Sequence, residues 1–112
     1  MRLHEIQSEA EARRFLPAGG GDYGLLLFVR SGDPACATVV ASAAAQPDPR
    51  KLHVLDVDRC PHASRWFGLV EVPSLVAVAD GALIAIEQRW GPETLKRLDA
   101  VANAALCRID DW

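Results

Sequence analysis

The stretch Tyr23-Gly24-Leu25-Leu26-Leu27-Phe28-Val29-Arg30-Ser31-Gly32-Asp33-Pro34-Ala35-Cys36 leaves this chain few ways to fold. Gly24 to Arg30 reads as a continuous apolar run of strand length, the pattern of a central strand covered on both faces. It ends in a short polar turn that opens directly into a helix. Asp33 offers an N-cap carboxylate, and Pro34 stands at the first helical position, where a missing N–H costs nothing. Cys36 then falls in the first turn of that helix. The helix runs on through an alanine-rich segment until Pro47 and Pro49. Leu52 to Val57 follows as a second buried strand, and a helical crossover between the two strands implies that they are parallel.

The other segments fit around this unit. Arg2 to Ile6 can form an edge strand. Ser8 and Glu11 have capping-box spacing, which starts a first helix running from Glu9 to about Phe15. Pro17 stops it, and Ala18-Gly19-Gly20-Gly21-Asp22 is expected to be a flexible connection. Arg59 to Phe67 is a short helix with Cys60 and Pro61 at its start, closed by Gly68. Val72 to Ala79 and Ala82 to Gln88, joined by Asp80-Gly81, form a β-hairpin. A last helix opens at Gly91-Pro92-Glu93 and keeps Leu95, Leu98, Val101, Ala102 and Ala105 on one apolar face. The order is β-α-β-α-β-α-β-β-α, in a single domain spanning residues 1–112.

Composition excludes several classes. Half of the 112 residues are apolar and 24% are charged, with no run of about 18 apolar residues such as a membrane span needs. The N-terminal residues lack the apolar core of an export signal, so a cytoplasmic location is expected. The net charge of -3 is mild, and the scattered basic residues do not suit nucleic acid. Cys36, Cys60 and Cys107 are far apart and odd in number, so reduced thiols rather than a disulfide framework are expected. No pair of cysteines or histidines stands at ligand spacing with a second pair to complete it, so no metal and no cofactor are expected.

The segment Asp56-Val57-Asp58-Arg59-Cys60-Pro61-His62-Ala63-Ser64-Arg65-Trp66-Phe67-Gly68-Leu69-Val70-Glu71-Val72-Pro73-Ser74 resembles the thioredoxin pattern without a gap. It has an acidic strand end, a helix start with proline, an aromatic-glycine pair, and an aliphatic residue before proline and a small hydroxyl residue. With the element order, the chain is similar to the thioredoxin fold from about Met1 to Leu106, a central mixed β-sheet flanked by helices. The resemblance implies a cis Val72–Pro73 bond. It also implies departures: the nucleophilic cysteine position is Asp33, the tryptophan before it is Gly32, and the buried acid that assists proton transfer falls on Leu27. Of the two thiols that thiol–disulfide exchange needs, only the resolving position, Cys36, keeps its sulfur.

These residues set the functional expectations. The leading reading is a thioredoxin-like protein that has lost dithiol activity and serves as a protein-binding, assembly or chaperone module. Its partner would be a protein or an extended peptide held at Gly32, Asp33, Pro34, Val72, Pro73 and Ser74, since thioredoxins hold substrate segments by backbone hydrogen bonds beside the cis proline. One alternative is a monothiol oxidoreductase using Cys36 or Cys60. Cys36 reads first as a packing residue. Cys60 sits at a helix start beside Arg59, where the dipole and the cation would lower its pKa if it were exposed, and His62 is the nearby candidate base. Cys107 reads as incidental. A second alternative is a structural subunit of a larger complex. Trp66, Trp90 and Val72-Pro73-Ser74 would form an apolar patch if they shared a face. The oligomeric state stays open.

Overall fold

The computed structural model describes residues 1–68 and 71–110, with 105–110 as backbone only. Leu69, Val70 and the side chains of Ala105 and Cys107 therefore lie outside the described residues. Five strands form one mixed sheet in the order β1-β3-β2-β4-β5: β1 (Arg2–Glu5), β2 (Gly24–Val29), β3 (Lys51–Asp56), β4 (Ser74–Ala79) and β5 (Ala82–Glu87). The helices are α1 (Glu9–Ala12), α2 (Pro34–Ala44), α3 (Pro61–Trp66) and α4 (Thr94–Asp110), so the element order is the one expected, with short 3-10 turns added at Arg13–Phe15 and Pro17–Gly19. β3 runs parallel to both β1 and β2, while β4 is antiparallel to β2 and to β5.

Every residue of β2 is buried, as its apolar run requires. Alternation along the strand divides the core. Leu25, Leu27 and Val29 face α2 and α4, where they meet Cys36, Val39, Ala43, Leu98 and Ala102. Leu26 and Phe28 face the other way, with Ile6, Ala12, Phe15, Cys60 and Ala63. Burying each large aliphatic side chain contributes about 1.5–3 kcal/mol. In the β4–β5 turn, Asp80 and Gly81 both take positive φ, 54° and 76°, the requirement of the tight hairpin connection.

Three local expectations are corrected. The glycine-rich connection is packed: Asp80 N donates to Gly21 O at 2.9 Å, and a Cβ on Gly81 would fall 2.3 Å from Pro17 Cγ, so this segment is wedged under the hairpin turn. The capping box is half formed. Ser8 Oγ accepts from Glu11 N at 3.3 Å, but the Glu11 carboxylate accepts from Gln7 N at 2.9 Å and meets the His4 ring, which draws it toward β1. Val101 is 53% exposed, because the buried stripe of α4 runs through Leu98 and Ala102 and Val101 is turned about 100° from Ala102.

Arg50 joins the loop before β3 to α4. Its guanidinium donates to both oxygens of Asp99 at 2.7 and 3.0 Å and reaches Asp48 at 2.6 Å. An Arg50→Met variant is expected to lose about 1–2 kcal/mol in urea unfolding, with the loss reduced in 1 M salt (roughly 3 Å screening length), since the group is only half buried and paired bidentately.

Candidate functional site

The turn after β2 is built by local chemistry. Gly32 takes φ 84° and lets the chain reverse, and Asp33, extended at φ -83° and ψ 119°, caps α2. Asp33 Oδ1 accepts from Ala35 N at 2.9 Å and from Cys36 N at 3.3 Å, so the first amides of the helix are already taken by a carboxylate. Pro34 follows at the first helical position, exposed. Cys36 is 2% exposed, and its Sγ lies 3.5 Å from Arg30 N. The Ser31 hydroxyl donates to Asp56. Burial raises the Asp56 carboxyl, but the Ser31 hydroxyl and the amides of Asp58, Arg59 and Ser31 outweigh it and hold the group below its ordinary range. Arg30 pairs with Asp58 at 3.2 Å.

The antiparallel register of Phe28 with Ser74 brings the start of β4 to the same end of the sheet. The Val72–Pro73 peptide bond is cis. Val72 packs on the cores of both faces, and Val72 and Pro73 are each half-buried. Ser74 is fully buried and its hydroxyl donates to Glu71 O at 2.7 Å, so this side chain points inward. On the α2 side of Pro73 there is little room: Leu27, Val39, Leu75 and Trp90 close in and leave about 10 Å³.

Cys60 departs from its expectation. It stands at the N-cap of α3, yet its side chain makes no capping bond and is fully buried. Glu9 of α1 supplies the cap instead, accepting from His62 N at 2.8 Å and Ala63 N at 3.4 Å. Burial, and then the Glu9 carboxylate, push the Cys60 thiol up, against the lowering expected of an exposed thiol beside Arg59. His62 is exposed, on the outside of the same turn. Among the described residues, no group of three or more His, Cys, Asp and Glu side chains is gathered to hold a metal, and no helix is long and apolar enough to cross a membrane.

No protein-family model and no curated protein matches the chain. Solved structures do. The thioredoxin of Malassezia sympodialis superposes with a TM-score of 0.67 at 17% identity, covering 94% of this chain and 91% of that one. A Schistosoma mansoni thioredoxin gives 0.66 at 15% identity over 91% and 94%. A point mutant of a Halobacterium salinarum thioredoxin gives 0.65 at 19% over 90% and 91%. The fold is thioredoxin-like.

Within this thioredoxin-like sheet, Leu27 is fully buried in the same apolar cluster as Cys36 and Leu75, and the carboxylate that lines the small space beside it, Glu87, comes from β5. The three-part patch does not form. Trp66, 54% exposed, donates its indole N–H to Gly81 O at 2.8 Å, at the turn end of the hairpin. Trp90 lies with Pro73, at the other end and on the opposite face of the sheet. Sequence reading missed the Glu9 cap, which joins residues 53 positions apart. It also missed a cleft of about 430 Å³ on the far side of α2, between that helix and the edge strand β1.

Proposed function

We propose that this thioredoxin-like chain is a protein-binding module without dithiol chemistry, working in a reducing compartment such as the cytoplasm. The observation that carries the reading is the capped start of α2. The Asp33 carboxylate accepts the amides that would otherwise stabilise a thiolate, and the two described cysteines are both buried. What remains at that end of the sheet is a surface of Gly32, Asp33, Pro34, Val72 and Pro73. Ser74 can contribute to it only through its backbone, because its hydroxyl is turned inward. Such a surface suits recognition of extended backbone, in which hydrogen bonds supply affinity without chemistry.

The test is the pH dependence of alkylation by iodoacetamide, read by mass spectrometry, beside an insulin-disulfide reduction assay. Cys36 and Cys60 are expected to resist alkylation in the folded chain from pH 6 to 9 and to react once urea unfolds it, at the ordinary thiol pKa of about 8.5. No insulin reduction is expected. Rapid modification of either thiol below neutral pH, or turnover of the disulfide substrate, would replace this reading with a monothiol oxidoreductase.

A further inference from the structure

We infer that the cleft between β1 and α2 is a strand-addition site for an extended segment of another protein, one that places alternate apolar side chains in the cleft and a lysine or arginine at its mouth. At its mouth the cleft shares Gly32 and Asp33 with the Pro73 surface, but it runs along β1, away from Val72 and Pro73, so binding in the cleft and binding at Pro73 are told apart by where along the sheet they fall.

The first support is the edge. Among the described residues, β1 is the outermost strand and pairs with β3 alone. Arg2 N donates to Arg50 O at 3.1 Å and Ile6 N to Val54 O at 2.9 Å, so these residues turn their amides inward. By strand alternation Leu3 and Glu5 turn theirs to the open side. An unpaired edge of this kind is a template for another strand. The second support is the cleft itself. Leu3 and Glu5 register with Leu52 and Val54 and so lie on the α2 side of the sheet. The facing residues of α2 are small, Ala37 and Ala41 beside Val40, and they leave about 430 Å³ open over Leu3 and Val54. Leu3 is 37% exposed as a result. A cavity of that size, apolar along its length, is in the range that takes a ligand group.

The third support is charge. At the mouth, Glu5 and Asp33 line the cleft with Arg30, whose guanidinium is held by Asp58. Asp56 stands behind Ser31, and Arg59 reaches Glu5 at 3.4 Å. Carboxylates outnumber guanidiniums around the opening, so a cation is the complementary end group. A second copy of this chain is a poor occupant: its β1 would bring the cleft one apolar side chain, Leu3, and another carboxylate, Glu5.

The probe is a short fluorescein-labelled peptide in which a lysine and then valines alternate with threonines, titrated by fluorescence anisotropy and by backbone-amide NMR. It is expected to bind with a Kd on the order of 100 µM. Amide shifts should concentrate at Leu3, Glu5, Ala37 and Ala41. Ala41→Phe, which fills the cleft from an exposed position on α2, is expected to weaken binding about tenfold, and so is glutamate in place of the peptide's lysine. The inference is overturned by no binding at about 1 mM peptide, by equal affinity for the glutamate peptide, or by shifts that fall at Val72 rather than along β1. Self-association that Ala41→Phe abolishes would likewise overturn it, assigning the cleft to a second copy.

Discussion

Urea unfolding of the chain at pH 7 and at pH 4 is expected to differ by roughly 3 kcal/mol through His53 alone, a large part of the 5–15 kcal/mol that holds a domain together. His53 lies in β3, only 8% exposed, edge-on to Phe15 at 4.9 Å and to His4 at 5.5 Å between ring centroids. Burial, with smaller contributions from the positive groups His4, Lys51 and Arg14, pushes its pKa down to about 4, while Glu11 pulls the other way. Between pH 4 and the ordinary value near 6.5, the unfolded chain binds a proton that the folded chain does not. Stability is therefore complete above about pH 6.5 and is lost as the pH falls toward 4. The carboxyls of Glu11, Asp48 and Asp56 are all held below their ordinary values, so they add acid sensitivity below roughly pH 4.5. A His53→Leu variant isolates the imidazole, because its stability should be nearly flat from pH 7 to 5, where the parent already weakens. Parallel curves for the two proteins in that range would show that His53 takes up its proton in the fold as readily as in the unfolded chain.

What sequence makes legible here is chemistry confined to neighbours along the chain. The buried run of β2, the Asp33 and Pro34 helix start and the Asp80-Gly81 turn each follow from a few adjacent residues, and each stands in the structure as read. What escapes is chemistry that arrives from elsewhere. Cys60 has the right neighbours for a reactive thiol, and its fate is set by Glu9, which brings a carboxylate to α3 from α1. His53 is one residue of an alternating strand, and only the pairing of β1 with β3 places it beside His4. Trp66 and Trp90 are both near the hairpin in sequence, but the two ends of that hairpin hold them apart. The cleft is invisible for the same reason: alanines on α2 read as helix formers, and their small size matters only once an edge strand lies opposite them.

Replacing Asp33 by cysteine is expected to convert the chain from no detectable insulin reduction to measurable turnover. A sulfur at that position would meet the amides that Asp33 Oδ1 now engages, 2.9 Å from Ala35 N and 3.3 Å from Cys36 N, at the start of an eleven-residue helix. The same field that holds the carboxylate would then favour the thiolate, lowering its pKa below the ordinary thiol value of about 8.5. Cys36, three residues on, is placed to resolve the mixed disulfide: its thiolate displaces the substrate's second sulfur from Asp33→Cys, leaving an intramolecular disulfide and a released substrate thiol. Turnover should stay slow, since Leu27 offers no carboxylate to move the proton of the buried Cys36. Losing the cap costs about 1 kcal/mol, small enough for the variant to remain folded. Asp33→Ser, which keeps a capping oxygen, should stay inactive, and adding Cys36→Ser to the cysteine variant should stop the reaction at the mixed disulfide. If Asp33→Cys is alkylated below neutral pH yet forms no bond to Cys36 under oxidising conditions, the turn does not hold the geometry that exchange needs. If turnover appears, a single carboxylate at the helix start is what separates this chain from dithiol chemistry.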